Sequence, residues 1–170
     1  IVSGSIISKN SANRGGGIFW NAGQLSINNS KINFNHAEQG GGLYLEDWAL
    51  NPILQFVEIA HNNATTVGGG MYLTSDNYAS TPIIFNSTIV NNTSSVLGAG
   101  ILATSATNPV IQNSILRDNL AADGVQVHLQ GESEVFVTYS NIAGGESGIV
   151  GFDDIIFQNN LDLDPVFVDA

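Results

Sequence analysis

The chain has 170 residues, enough for one domain, with 15 Asp and Glu against 4 Lys and Arg and a formal charge of −11. So acidic a chain repels phosphate backbones and anionic headgroups, which argues against nucleic acid and acidic membranes as partners. Its 43% hydrophobic residues are enough for a core, while 20 Asn and 19 Gly with only 11% charged residues disfavour long helices.

Taken in chain order, one pattern recurs. The first repeat closes a strand on Ile7, reaches Asn10, and passes Gly15, Gly16 and Gly17 into an apolar strand at 18–20. The second has Leu25 and Ile27, then Ile32, Asn35, the glycines 40–42 and an apolar strand at 43–45. In the third come a strand at 54–59, Asn62, the glycines 68–70 and a strand at 71–73. The fourth runs through 83–86, Ile89 and Asn92 to Gly98, Ala99 and Gly100, then 101–103. A fifth, weaker copy holds 110–113, Ile115, Asp118 and Gly124, and a sixth holds 135–138, Ile142, Gly145 and Gly148. Measured on Gly17, Gly42, Gly70, Gly100, Gly124 and Gly148, the spacings are 25, 28, 30, 24 and 24 residues. Pro52, Pro82 and Pro109 each precede a strand, where a missing N–H is tolerated.

Short strands at a fixed phase cannot bury a face alone, but stacked coils bury it continuously. The expected fold is all-β: a single-stranded parallel β-helix of about six coils of 24–30 residues, one domain over residues 1–170. At about 4.8 Å per coil it would be roughly 30 Å long. An Asn at the same corner of every coil can pass side-chain hydrogen bonds up the column and tolerates the left-handed conformation of a tight corner. The glycines supply positive φ and close approach.

The Gly-Gly-[Gly/Ala]-[Ile/Leu] strand starts, paired with the apolar-x-x-Asn turns, resemble bacterial secreted right-handed parallel β-helix repeat proteins. They are similar to the repeats of polymorphic outer membrane proteins and other surface passenger domains. The closing stretch with Asp164, Pro165, Phe167 and Asp169 is similar to the segment that follows the last coil in such proteins. The resemblance implies a right-handed solenoid, secreted or at the cell surface, and a fold that hosts lyases, hydrolases, adhesins and stalks alike. Two features depart from it: Ile ends the turn strand where the polymorphic proteins have Phe, and no β-barrel translocator is present. The chain is expected to be a fragment of a longer exported protein, since it opens at Ile1 inside a coil with no leader and no cap. A preceding segment or an end-on subunit is expected to cover that end.

Catalytic signals are weak. A lyase needs a base and a cation for the substrate carboxylate, but Lys9, Arg14, Lys31 and Arg117 fall at different phases. A hydrolase needs two carboxylates across the sugar, and the adjacent Asp153 and Asp154 point to opposite faces of a strand. His36, His61 and His128 do not share a phase, and no Cys is present, so no metal column, disulfide or thiolate site is expected. Calcium at Asp162, Asp164 and Asp169 is the one cofactor suggested, because hard cations take several carboxylates. No apolar run approaches the roughly 18 residues of a membrane span, so no membrane insertion is expected.

The strands after the glycines carry the strongest binding signal. With Ile18, Leu43, Met71, Ile101, Val125 and Ile149 inward, alternation turns Phe19, Tyr44, Tyr72, Leu102, Gln126 and Val150 outward. Phe19, Tyr44 and Tyr72 are therefore the expected ligand-binding residues, an aromatic column suited to sugar rings or a protein partner, unless loops 46–51 and 74–80 cover it. The leading expectation is a non-enzymatic structural or adhesive repeat segment of an exported bacterial surface protein, able to self-assemble. The alternative is a carbohydrate-binding or carbohydrate-active β-helix.

Overall fold

The computed structural model describes residues 1–49, 51–75, 79–151 and 154–166. It is a parallel β-solenoid of about five turns, close to the six coils expected. Strands of two residues occur at Val2–Ser3, Asn141–Ile142 and Ile149–Val150 near the ends, and at Thr93–Ser94 in the fourth coil.

One turn shows the plan. Ile53–Ala60 bends in its middle, Asn63–Val67 follows across a corner, and Met71–Thr74 follows the glycine cluster. Stacked on their counterparts, these positions form a long sheet of eleven strands, a short sheet of four and a six-stranded sheet of glycine-led strands. Parallel neighbours need a long crossover, and the remainder of each coil provides it. Every inward residue therefore stacks on its equivalent one coil away. Ile7, Ile32, Ile59, Ile89, Leu116 and Ile142 make one such column. Ile18, Leu43, Met71, Ile101, Val127 and Ile149 face it from the glycine-led sheet. Ile32, Ile59, Met71, Ile89, Ile101 and Leu116 are fully buried, and each such side chain contributes about 1.5–3 kcal/mol.

Polar columns run along two corners. Asn62 Oδ1 accepts both the backbone N–H and an Nδ2–H of Asn35, each at 3.0 Å. Its own Nδ2 donates forward to Asn92 Oδ1 at 3.0 Å and back to the Ile32 carbonyl at 2.8 Å. The same rung repeats from Asn10 on Asn35 and from Asn92 on Asn119. It stops where Asn119 Nδ2 donates to Gln126 Oε1 at 2.7 Å, the Gln amide standing in for a sixth asparagine. Left-handed backbone falls on the residue before each rung: Lys9, Phe34, His61, Asn91 and Asp118, with φ between 54° and 58°. One residue turns the corner and the next bonds across it, where the sequence suggested that Asn does both.

A second ladder follows the bend of the long sheet. Ser87 Oγ accepts the Val57 N–H at 3.1 Å, Ser114 Oγ the Ser87 N–H at 3.2 Å, and Ser140 Oγ the Ser114 N–H at 3.1 Å. Asn160 Oδ1 closes the run on the Ser140 N–H at 2.8 Å.

The fifth coil departs from the expected phase. Ile89 pairs with Leu116, not Ile115, so the rung three residues on is Asn119 and not Asp118. The glycine-led strand likewise starts at Val127, so Val125 is not the inward residue nor Gln126 the outward one. The cause is local. Only Gly124 remains of the cluster, and Gln126 is turned in, 3% exposed, to meet Asn119.

Candidate functional site

The outward column of the glycine-led sheet is continuous: Phe19, Tyr44, Tyr72, Leu102, His128 and Val150 pair in register. The three aromatics singled out in the sequence are thus neighbours. Phe19 and Tyr44 have ring centroids 5.5 Å apart at a tilt, and Tyr44 meets Tyr72 edge-on at 4.8 Å. Arg14 from the short sheet lies over Tyr44, 5.3 Å from the ring centre, and is held there by Glu46 at 3.0 Å.

Their accessibility is uneven. Phe19 is 43% exposed, Tyr44 only 4%, and Tyr72 is half-buried. Tyr44 lies between the Phe19 and Tyr72 rings with the Arg14 guanidinium over its face, whereas Phe19 has a ring neighbour on one side. A Cβ at Gly40 would lie 2.9 Å from Tyr44 Cβ, and one at Gly68 would lie 2.7 Å from Tyr72 Cβ. The column runs along a crease between two sheets, open at Phe19.

His128 lies lower in the same crease. It is 6% exposed, its Nδ1 has no hydrogen-bond partner, and Asp123 Oδ2 is 3.9 Å away, an ion-pair distance too long for a hydrogen bond. Burial pushes the imidazole pKa below its usual value, and the Asp123 carboxylate opposes that shift.

No family model matches this chain. No curated protein and no solved structure matches it either.

The basic residues do not converge. Arg14 pairs with Glu46, Lys31 with Glu58 at 2.8 Å, and Arg117 with Asp162 at 2.9 Å. Of the suggested calcium ligands, Asp162 is held by Arg117, Asp164 Oδ1 accepts the Val166 N–H at 2.9 Å, and Asp169 lies outside the described residues. Asp153 also lies outside them. The remaining histidines are apart: His36 bonds Asn63 at 2.8 Å, and His61 stacks on Phe34 with centroids 4.9 Å apart.

A second outward column, which sequence reasoning did not single out, crosses the long sheet. Ile53, Ile83, Val110, Phe136 and Ile156 pair in register. At its C-terminal end it floors a groove of about 260 Å³ lined by Val110, Phe136 and Ile156 and walled by Thr81, Asn108, Glu134 and Asp154. Phe136 is 38% exposed and Ile156 43%. The signal in the sequence is a strand apolar on both faces, as in Ile83-Ile84-Phe85 and Val135-Phe136-Val137.

Proposed function

We propose that the chain is a non-enzymatic structural and adhesive segment of an exported bacterial surface protein, meeting protein or glycan partners on its side faces and a neighbour at its end. The observation that carries this reading is the unbroken asparagine ladder from Asn10 to Asn119. It ties each coil to the next along the axis, as a stalk-like segment requires. Three of the four basic residues are paired with carboxylates, leaving no cluster to neutralise an acidic polymer. A carbohydrate-binding β-helix is the second reading, favoured by the open ring of Phe19 at the head of the aromatic crease.

The test is incubation with neutral and acidic polysaccharides, followed for binding and for released sugars. Binding without products is the expected result. Release of unsaturated or reducing sugars overturns the non-enzymatic reading.

A further inference from the structure

We infer that the groove around Phe136 on the long sheet binds a cationic amino-sugar residue of a glycan chain. The inference rests on the adhesive reading above and names a ligand class and a place for it.

The floor comes first. Phe136 and Ile156 stand one coil apart, about 4.8 Å, and together they present an apolar step to solvent. A pyranose ring has a face of C–H groups that packs on such a step, as apolar matter does on an aromatic ring. The volume of about 260 Å³ lies below the range of drug-sized pockets and suits one ring at a time. Above it the column continues through Val110, Ile83 and Ile53, a path along the axis for further sugar units.

The wall supplies the polar half of the recognition. Asn108 Oδ1 is occupied by the Glu134 N–H at 2.9 Å, which fixes the amide and leaves its Nδ2 as a donor. The Thr81 hydroxyl offers both a donor and an acceptor. Sugar hydroxyls need such a mixture, because each gives and takes a hydrogen bond.

Charge then selects among sugars. Glu134 and Asp154 occupy equivalent places in adjacent coils, since Val135 pairs with Ile155. Both are exposed, and among the described residues neither has a cationic partner. No Lys or Arg lines the groove, and the chain carries −11 overall. An ammonium group on the sugar fits that environment and a uronate does not. A folded protein is a poorer occupant, because a stable interface covers about 800 Å² per partner and this floor offers two well-exposed apolar side chains.

Calorimetric titration of the full chain with β-1,4-linked glucosamine tetramer, its N-acetylated counterpart and cellotetraose tests the assignment. The glucosamine tetramer is expected to bind most tightly, and to weaken in 0.5 M salt. Phe136→Ala should weaken every oligomer about tenfold. The double variant Glu134→Gln with Asp154→Asn, which keeps the shape of the wall, should erase the preference for glucosamine. Circular dichroism confirms that each variant is folded. Equal affinity of the three oligomers, unchanged binding in the double variant, or binding of a tetralysine peptide in place of glucosamine overturns the inference. Reducing ends released from the tetramer would overturn the non-enzymatic reading and leave the sugar site standing.

Discussion

Asn62 makes the energetic logic of this molecule concrete. It is fully buried, and its amide links Asn35, Asn92 and the Ile32 carbonyl. Asn62→Ala strands the Asn35 N–H in the interior and takes one donor each from the Ile32 carbonyl and Asn92 Oδ1, and a buried orphan alone costs about 1–3 kcal/mol. A loss of about 3 kcal/mol in urea unfolding is expected, while Asn63→Ala, which removes exposed bonds to His36 and Thr93, should cost no more than about 1 kcal/mol. Equal effects at the two positions would show that the ladder contributes little. His128 gives the pH dependence. With its folded pKa below the unfolded one, the unfolded chain binds more protons once the pH drops below about 6.5. Stability is therefore full above that value and declines below it. The urea midpoint should fall between pH 7 and pH 5 in the native chain, and His128→Leu, matching Leu102 one coil away, should flatten that slope.

Within one coil, the glycine clusters matter through clearance between coils. A Cβ on Gly41 would sit 2.5 Å from the Gly69 carbonyl oxygen and 2.6 Å from that of Asn63, both backbone atoms of the next coil. Gly41→Ala must push coils apart and is expected to abolish the cooperative thermal transition or lower its midpoint by more than 10 °C. Gly23→Ala, with nothing within 4 Å of the added atom, should cost far less despite its positive φ. A shift at Gly41 no larger than that at Gly23 would refute the clearance argument. Ala99 shows where a methyl group is accepted, beside the coil whose cluster has shrunk to Gly124. The same shrinkage limited what could be read from the sequence. Coils with full clusters gave their inward residues and rungs directly, because Gly and Asn recur at fixed intervals. In the fifth coil Ile115 and Leu116 are interchangeable by type, and only pairing with Ile89 chooses between them. The serine ladder is masked in the sequence for another reason: Ser is common in this chain and Val57 interrupts its column. Phe19, Tyr44 and Tyr72 could be aligned from alternation, but the burial of Tyr44 depends on Arg14 crossing from the short sheet to lie over its ring. The Phe136 groove needed the register of Glu134 against Asp154, which crosses a 3-10 turn at Gly145–Gly148.

For the molecule as a whole, nearest-neighbour stacking sets the behaviour, since each coil packs on the coils beside it and a long side chain such as Arg117, which reaches Asp162 two coils on, goes further. Deleting residues 63–92 removes one whole period and leaves Asn62 to donate to Asn119 in the same geometry. That shortened chain is expected to fold cooperatively with a lower melting temperature. Deleting residues 63–91 shifts every following residue by one and turns the core columns outward, so it should not fold. Similar circular dichroism and melting for the two deletions would count against register as the organising constraint. The direction of the ladders has a mechanical side as well. Every rung lies along the solenoid axis, so a load applied to the two ends falls on one interface at a time. Pulled in an atomic force microscope, the chain should unravel as a sawtooth. Each tooth would release a coil of 25 to 30 residues, about 85–105 Å of extended chain, at modest and nearly constant force. Such a rod gives way gradually under tension, shedding length while its remaining coils and any occupied side face stay intact.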